Sequence, residues 1–172
     1  MSYWPPFQHA ETDICLTHLE PFEFRCRVGT EPERRVFVTF DEHTFTRKFT
    51  PQDPPEHLCF KNRVFCPVRY GLSLGLRELI ETFPDVRVYQ TWERDGYVYF
   101  AAGVPSPQGP YHVFFSVKRY DFSKKKKGVA MHVQSAYARE KGEYGDGQTT
   151  NTIDFARLVE NTYMGRSIKF AR

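Results

Sequence analysis

Residues 111–137, YHVFFSVKRYDFSKKKKGVAMHVQSAY, alternate apolar and polar side chains in two runs separated by a basic turn. Period-2 alternation puts every second side chain on one face of an extended backbone, so this pattern commits the middle of the chain to a strand pair. In the first run Tyr111, Val113, Phe115 and Val117 alternate with His112, Ser116 and Lys118. In the second, Val129, Met131 and Val133 share a face, and the same period continues that face to Ser135 and Tyr137, with His132 and Gln134 on the other side. An apolar face ending in two hydroxyls is what the floor of a cleft requires. The alternative is that Ser135 and Tyr137 only mark where core meets solvent.

With 172 residues the chain is long enough for one domain with its own core. Aromatic residues make up 16% of it, and with the Val/Phe/Tyr-rich runs they point to a sheet-dominated α+β fold. Phe22–Val28 and Arg35–Phe40 flank GTEPE and read as a hairpin, within an N-terminal extension over 1–50 that precedes a core over 71–172. Residues 41–57 are polar and Pro-rich, which predicts a surface loop, and 59–70 show no regular pattern beyond a short helical turn. Ser73 is placed to cap a helix over 74–83, with Leu76, Leu79, Ile80 and Phe83 on one side. A hairpin over 86–92 and 97–102 turns at Asp95–Gly96. Asn151 or Thr152 caps a second helix over 153–164, closed by Gly165, and the polar, Gly-rich 139–150 reads as mobile. The expected architecture is a twisted antiparallel sheet of four or more strands (86–92, 97–102, 111–119, 129–137) with two helices packed on it.

A net charge of +3 excludes a basic nucleic-acid coat, although the positive charge is clustered at Arg34–Arg35, Arg47–Lys48 and Lys124–Lys127. The N-terminus lacks a basic region followed by an apolar run, and no stretch approaches membrane-spanning length, so neither secretion nor a membrane is expected. The cysteines at 15, 26, 59 and 66 fit neither a disulfide framework nor a zinc spacing. They read as reduced cytosolic thiols, and no metal or cofactor is implied.

The segment FDEHTFTRK puts His43 four residues before Arg47 and five before Lys48. A histidine titrates near neutrality and adjacent cations favour a phosphate. If this loop reaches the end of the second central strand, His43, Arg47, Ser135 and Tyr137 form a metal-free constellation for RNA cleavage. One group takes the 2′-OH proton, a cation stabilises the phosphorane, and another group protonates the leaving 5′-oxygen, giving a 2′,3′-cyclic phosphate. The alternative is an exposed loop histidine. His112, which shares its face with Lys118, is the second candidate base. Lys124, Lys125, Lys126 and Lys127 either form a solvated turn or, with Lys48 and Lys118, grip a nucleic-acid backbone beside the stacking faces of Phe114 and Tyr120, which suits single-stranded RNA.

The strand, basic turn and strand ending in HVQSAY, with an upstream histidine and a nearby arginine, resembles the barnase/EndoU/colicin/RelE-type (BECR) ribonuclease toxins. The resemblance implies a helix-then-antiparallel-sheet core and metal-independent RNA cleavage. His43 would be the acid/base, Arg47 or Lys48 the phosphate clamp, and Ser135 and Tyr137 the hydroxyl pair. It also implies a bacterial toxin or stress effector, with RNA and an antitoxin or immunity protein as partners. Two other functions are compatible with the residues. One is a non-catalytic module that binds RNA or protein through the sheet and the lysine turn. The other is an ADP-ribosyltransferase using the strand-end Ser and Tyr with Glu140.

Overall fold

The computed structural model describes residues 3–93, 96–123, 126–138 and 151–170. In chain order the strands are β1 (Gln8–His9), β2 (Thr12–Asp13), β3 (Phe22–Cys26), β4 (Arg34–Phe40), β5 (Thr46–Lys48), β6 (Leu58–Phe60), β7 (Arg63–Phe65), β8 (Arg87–Glu93), β9 (Gly96–Val104), β10 (Tyr111–Ser123), β11 (Lys126–Ala138) and β12 (Thr152–Asp154). The helices are α1 (Pro67–Ser73), α2 (Leu76–Glu81) and α3 (Phe155–Met164). The fold is α+β. Its main sheet has seven strands in the order β12-β8-β9-β10-β11-β4-β3, and β5, β7 and β6 form a second, small sheet.

The N-terminal hairpin is part of the main sheet rather than an extension of it. β3 and β4 pair antiparallel, and β4 then pairs parallel with β11, the one parallel pairing in that sheet. The pairing runs on past the end of β4, where the Asp41 amide donates to the Val133 carbonyl at 2.9 Å. The residues after β4 are thereby laid against the end of β11.

One face of the sheet carries the core. Val36, Val38, Phe40, Val113, Phe115, Val129, Met131 and Val133 are buried there against α2 and α3. Phe83, Phe115 and Phe155 form a triangle of rings with centroids 5.4 to 5.8 Å apart. Leu76, Ile80 and Phe83 are buried as the helical spacing predicts, but the segment is shorter than expected. Ser73 does not cap it; it ends α1, is buried, and donates to the Tyr70 carbonyl while meeting His18 Nε2 at 2.8 Å. The second predicted helix begins later, at Phe155, because Ile153 is taken into β12 opposite Val88. Gly165 closes α3 at φ 66°, the left-handed conformation that glycine adopts without steric penalty.

A β-bulge changes what the alternation predicts. Phe115 faces Val133 and Phe114 faces Ser135, which leaves Gln134 without an opposite number on β10. The extra residue inverts the parity of β11 beyond that point. Ala136 therefore takes the core position, and Ser135 and Tyr137 turn to the face that carries His112, Phe114 and His132. The expectation that they continue the Val129–Val133 face, opposite His132, is corrected.

Residues 41–57 also depart from expectation. Thr44, Phe45 and Thr46 are fully buried. Phe45 packs against Trp4 at 5.2 Å and Phe60 at 5.7 Å, in a second aromatic cluster beside the small sheet. The hydroxyls of Thr44 and Thr46 donate to the carbonyls of Asp41 and Glu42, so the 3₁₀ turn at Glu42–Thr44 is internally satisfied. Residues 59–70, expected to be irregular, supply β6, β7 and the start of α1. Asp95, Lys124, Lys125 and the 139–150 segment lie outside the described residues. Among those described, no helix is long and apolar enough to cross a membrane.

Candidate active site at the end of β11

Asp41 sits directly after β4 and organises the turn that leaves the strand. Its carboxylate accepts from the His43 amide at 3.0 Å, capping the 3₁₀ turn. His43 Nδ1 lies 3.7 Å from one carboxylate oxygen, and His132 Nε2 lies 3.9 Å from the other. His132 Nδ1 meets the Thr39 hydroxyl at 3.0 Å on the neighbouring strand. Two imidazoles, each about two-fifths exposed, thus flank one carboxylate. Burial depresses the His43 pKa below its ordinary value and the charge of Arg63 adds to that, outweighing Asp41 and Glu42. Burial alone would raise the Asp41 pKa, but the nearby His132 imidazole and the hydrogen bond from the His43 amide hold the carboxyl below its usual range.

Two arginines complete the site. Arg63 donates to the Thr46 hydroxyl at 2.6 Å and to the Thr46 carbonyl at 2.9 Å. Arg69, from the first turn of α1, donates to the same carbonyl at 2.9 Å and to the His43 carbonyl at 3.1 Å. These acceptors are neutral. Among the described residues no carboxylate lies within ion-pair distance of either guanidinium. Two half-buried cations thus lie side by side, with Glu42 and Asp41 acting on Arg63 only from beyond ion-pair distance, an arrangement that can receive an anion. The Arg69 guanidinium lies over the Tyr137 ring at 4.7 Å, Tyr137 stacks on Phe114 at 5.4 Å, and Phe114 on His112 at 6.3 Å. The Tyr111 hydroxyl is buried without a hydrogen-bond partner among the described residues, and burial pushes its pKa up while Arg69 acts in the opposite sense.

A family model described as the YjaZ family matches residues 6–163. The chain belongs to the YjaZ family. No curated protein and no solved structure matches it. The matched span contains Asp41, His43, Arg63, Arg69, Ser135 and Tyr137.

In this YjaZ-family chain the residues singled out by sequence have mixed placements. The turn that carries His43 is laid against β11 by the bond from the Asp41 amide to the Val133 carbonyl, just before Ser135 and Tyr137 on that strand. Arg47 forks onto Asp53 within its own loop, and Lys48 is exposed on β5. The cations beside His43 are instead Arg63 and Arg69. The other sequence clusters are also partnered: Arg34 by Glu160 and Arg35 by Glu23. His112 contacts the Pro110 carbonyl through Nδ1 at 2.9 Å and shares its face with Tyr137. Lys118 and Lys127 are exposed on β10 and β11, and Lys126 pairs with Ser123. Glu140 lies outside the described residues.

Sequence reasoning missed Asp41, Arg63 and Arg69, and assigned Ser135 and Tyr137 to the face opposite His132. The Asp-Glu-His run was a visible signal. The two arginines sit in a stretch with no periodicity and gave none. Asp41, Glu42 and His43 bring potential metal-ligand atoms within 4.8 Å of one another. The charge of Arg63 acts against that of the two carboxylates there.

Proposed function

We propose that this YjaZ-family chain is a metal-independent endoribonuclease, acting in a bacterial cytosol as a toxin or stress effector. The observation that carries the proposal is the position of Arg69. It touches the backbone of the candidate base His43 and the ring of the hydroxyl-bearing Tyr137, and no carboxylate pairs with it among the described residues. One phosphodiester spans groups held that close together.

His43 Nδ1 faces Asp41, so Nε2 takes the proton from the ribose 2′-OH. A depressed pKa keeps that imidazole neutral and ready to accept it. The 2′-oxygen attacks phosphorus, and Arg63 and Arg69 stabilise the charge on the equatorial oxygens, the role that sequence spacing suggests for Arg47 and Lys48. The bond to the 5′-oxygen breaks, and that oxygen takes a proton from Tyr137, with Ser135 hydrogen-bonded to the phosphate. The products are a 2′,3′-cyclic phosphate and a free 5′-hydroxyl. Lys118 and Lys127, with the lysines before it, hold the flanking single strand.

The test is an RNA oligonucleotide incubated with the protein in EDTA beside the same oligonucleotide carrying a 2′-deoxyribose at the cut position. Cleavage of the first to a cyclic phosphate, with the second left intact at that position, is expected. Equal cleavage of both contradicts the mechanism, since a 2′-deoxy sugar has no nucleophile.

A second reading, non-catalytic RNA binding, is favoured by the near-parallel rings of Phe37 and Tyr120, 6.3 Å apart on the same sheet face. It predicts salt-sensitive binding that survives His43→Ala without any cleavage.

A further inference from the structure

α3 covers the core face of the sheet, away from His43 and Tyr137, and a cavity of about 540 Å³ opens beside it. Its walls are α3, the tail that follows Gly165, and Val28 and Glu31 from the turn between β3 and β4. The left-handed turn at Gly165 sends the chain back, and the Arg166 amide donates to the Asn161 carbonyl at 2.9 Å. Ile168 and Phe170 then pack on the core, the strand-like spacing visible in RSIKFAR, while Ser167 and Lys169 line the cavity. Arg157 reaches it from α3 and also lines a smaller adjoining cavity together with Lys169.

The charge of this cavity is strongly one-sided. Glu160, its buried carboxylate, is neutralised by Arg34 through a two-pronged contact at 2.7 and 3.0 Å, and Arg34 also lies over the Tyr163 ring at 4.0 Å. Arg87 partners Asp154 at 3.5 Å at the adjoining rim. Arg157, Arg166 and Lys169 have no carboxylate within ion-pair distance among the described residues. Glu31 is the only negative side chain in the lining left without such a partner among those residues. Three exposed cations lining a concave space of small-molecule size suit a compact multivalent anion; a flat protein surface would leave the concavity unfilled.

We propose that this cavity binds a small phosphate-bearing ligand, with Arg157, Arg166 and Lys169 as its phosphate contacts. The site is separate from the candidate ribonuclease centre and does not depend on it. A bound ligand ties the tail to α3, so occupancy raises the melting temperature. The test is calorimetric titration of the full chain with inorganic pyrophosphate at low salt, repeated on R166Q/K169Q and on R63Q. All three changed residues are at least partly exposed, and circular dichroism checks that each variant folds. The expected result is a saturable component whose affinity falls at least about tenfold in R166Q/K169Q and is unchanged in R63Q, apart from any binding at Arg63 and Arg69 that R63Q removes. An affinity unchanged in R166Q/K169Q, a site lost in R63Q instead, or no saturable binding to the wild type overturns the proposal.

Discussion

The guanidinium carbon of Arg69 lies 4.7 Å from the centre of the Tyr137 ring, and the same side chain donates to the carbonyls of His43 and Thr46. One residue at the start of a short helix thus fixes a turn from the first quarter of the chain against the end of a strand from the last.

Arg69→Lys removes the planar fork and leaves a point charge on a flexible stem. It is not a conservative change at a stacked, two-carbonyl site. Cleavage of labelled RNA is expected to fall about a hundredfold or more. Urea unfolding should show a loss of about 1 kcal/mol, since the carbonyls of His43 and Thr46 each lose one hydrogen bond while Thr46 keeps that from Arg63. Wild-type cleavage by this variant would remove Arg69 from the mechanism.

The depressed pKa of His43 has a sign that can be checked. Its folded-state value lies below the unfolded one, so protons bind the unfolded chain more readily. The stability it contributes is complete above the unfolded value near 6.5 and is lost as pH falls through that value toward the folded one. NMR titration of the His43 ring should give a midpoint below 6.5, and kcat/KM should fall on the acid side with the same midpoint. Arg63→Gln should move the ring midpoint upward, because Arg63 is one of the causes. A midpoint at or above 6.5 in the wild type contradicts this electrostatic picture.

The strands that alternate cleanly, β4 and β8 to β11, were legible in the sequence, as were the buried faces of α2 and α3. Three things were not. The parallel joining of β4 to β11 is set by tertiary packing and leaves no local mark. The small sheet is built from β5, β6 and β7, which are too short to show a period. The bulge at Gln134 is an insertion of one residue into a regular pattern, and alternation alone reads straight through it. His43, Ser135 and Tyr137 are singled out by sequence because histidine and strand-end hydroxyls advertise chemistry. Arg63 and Arg69 were passed over because a cation is conspicuous in sequence only when clustered, and the clustered arginines are partnered by carboxylates.

Gln134 separates the two consequences of the bulge. Deleting it removes the bulge but leaves Ser135 opposite Phe114, Ala136 opposite Val113 and Tyr137 opposite His112, so the chain should still fold cooperatively, with only the local bend and twist of β11 reduced. Gln134→Met keeps the bulge and removes a buried side-chain carbonyl that has no partner. That variant should match or exceed wild-type stability, by up to about 1 kcal/mol in urea. A clear loss of stability in Gln134→Met would show that the carbonyl is satisfied in solution.

Arg34 and Glu160 form a pair whose side chains are only 14% and 7% exposed. Replacing Arg34 by Met strands a buried carboxylate and should cost about 3 kcal/mol, whereas R34M/E160L should recover most of it. Equal losses in the single and double variants would mean that packing, not charge, dominates there.

The most direct measurement of the ribonuclease mechanism is the rate of single-stranded RNA cleavage in EDTA by the wild type, His43→Ala and Tyr137→Phe, with the folding of each confirmed. The wild type is expected to cut, and each variant to cut about a hundredfold more slowly or worse. Intact RNA with the wild type, or variants that cut at its rate, would contradict it.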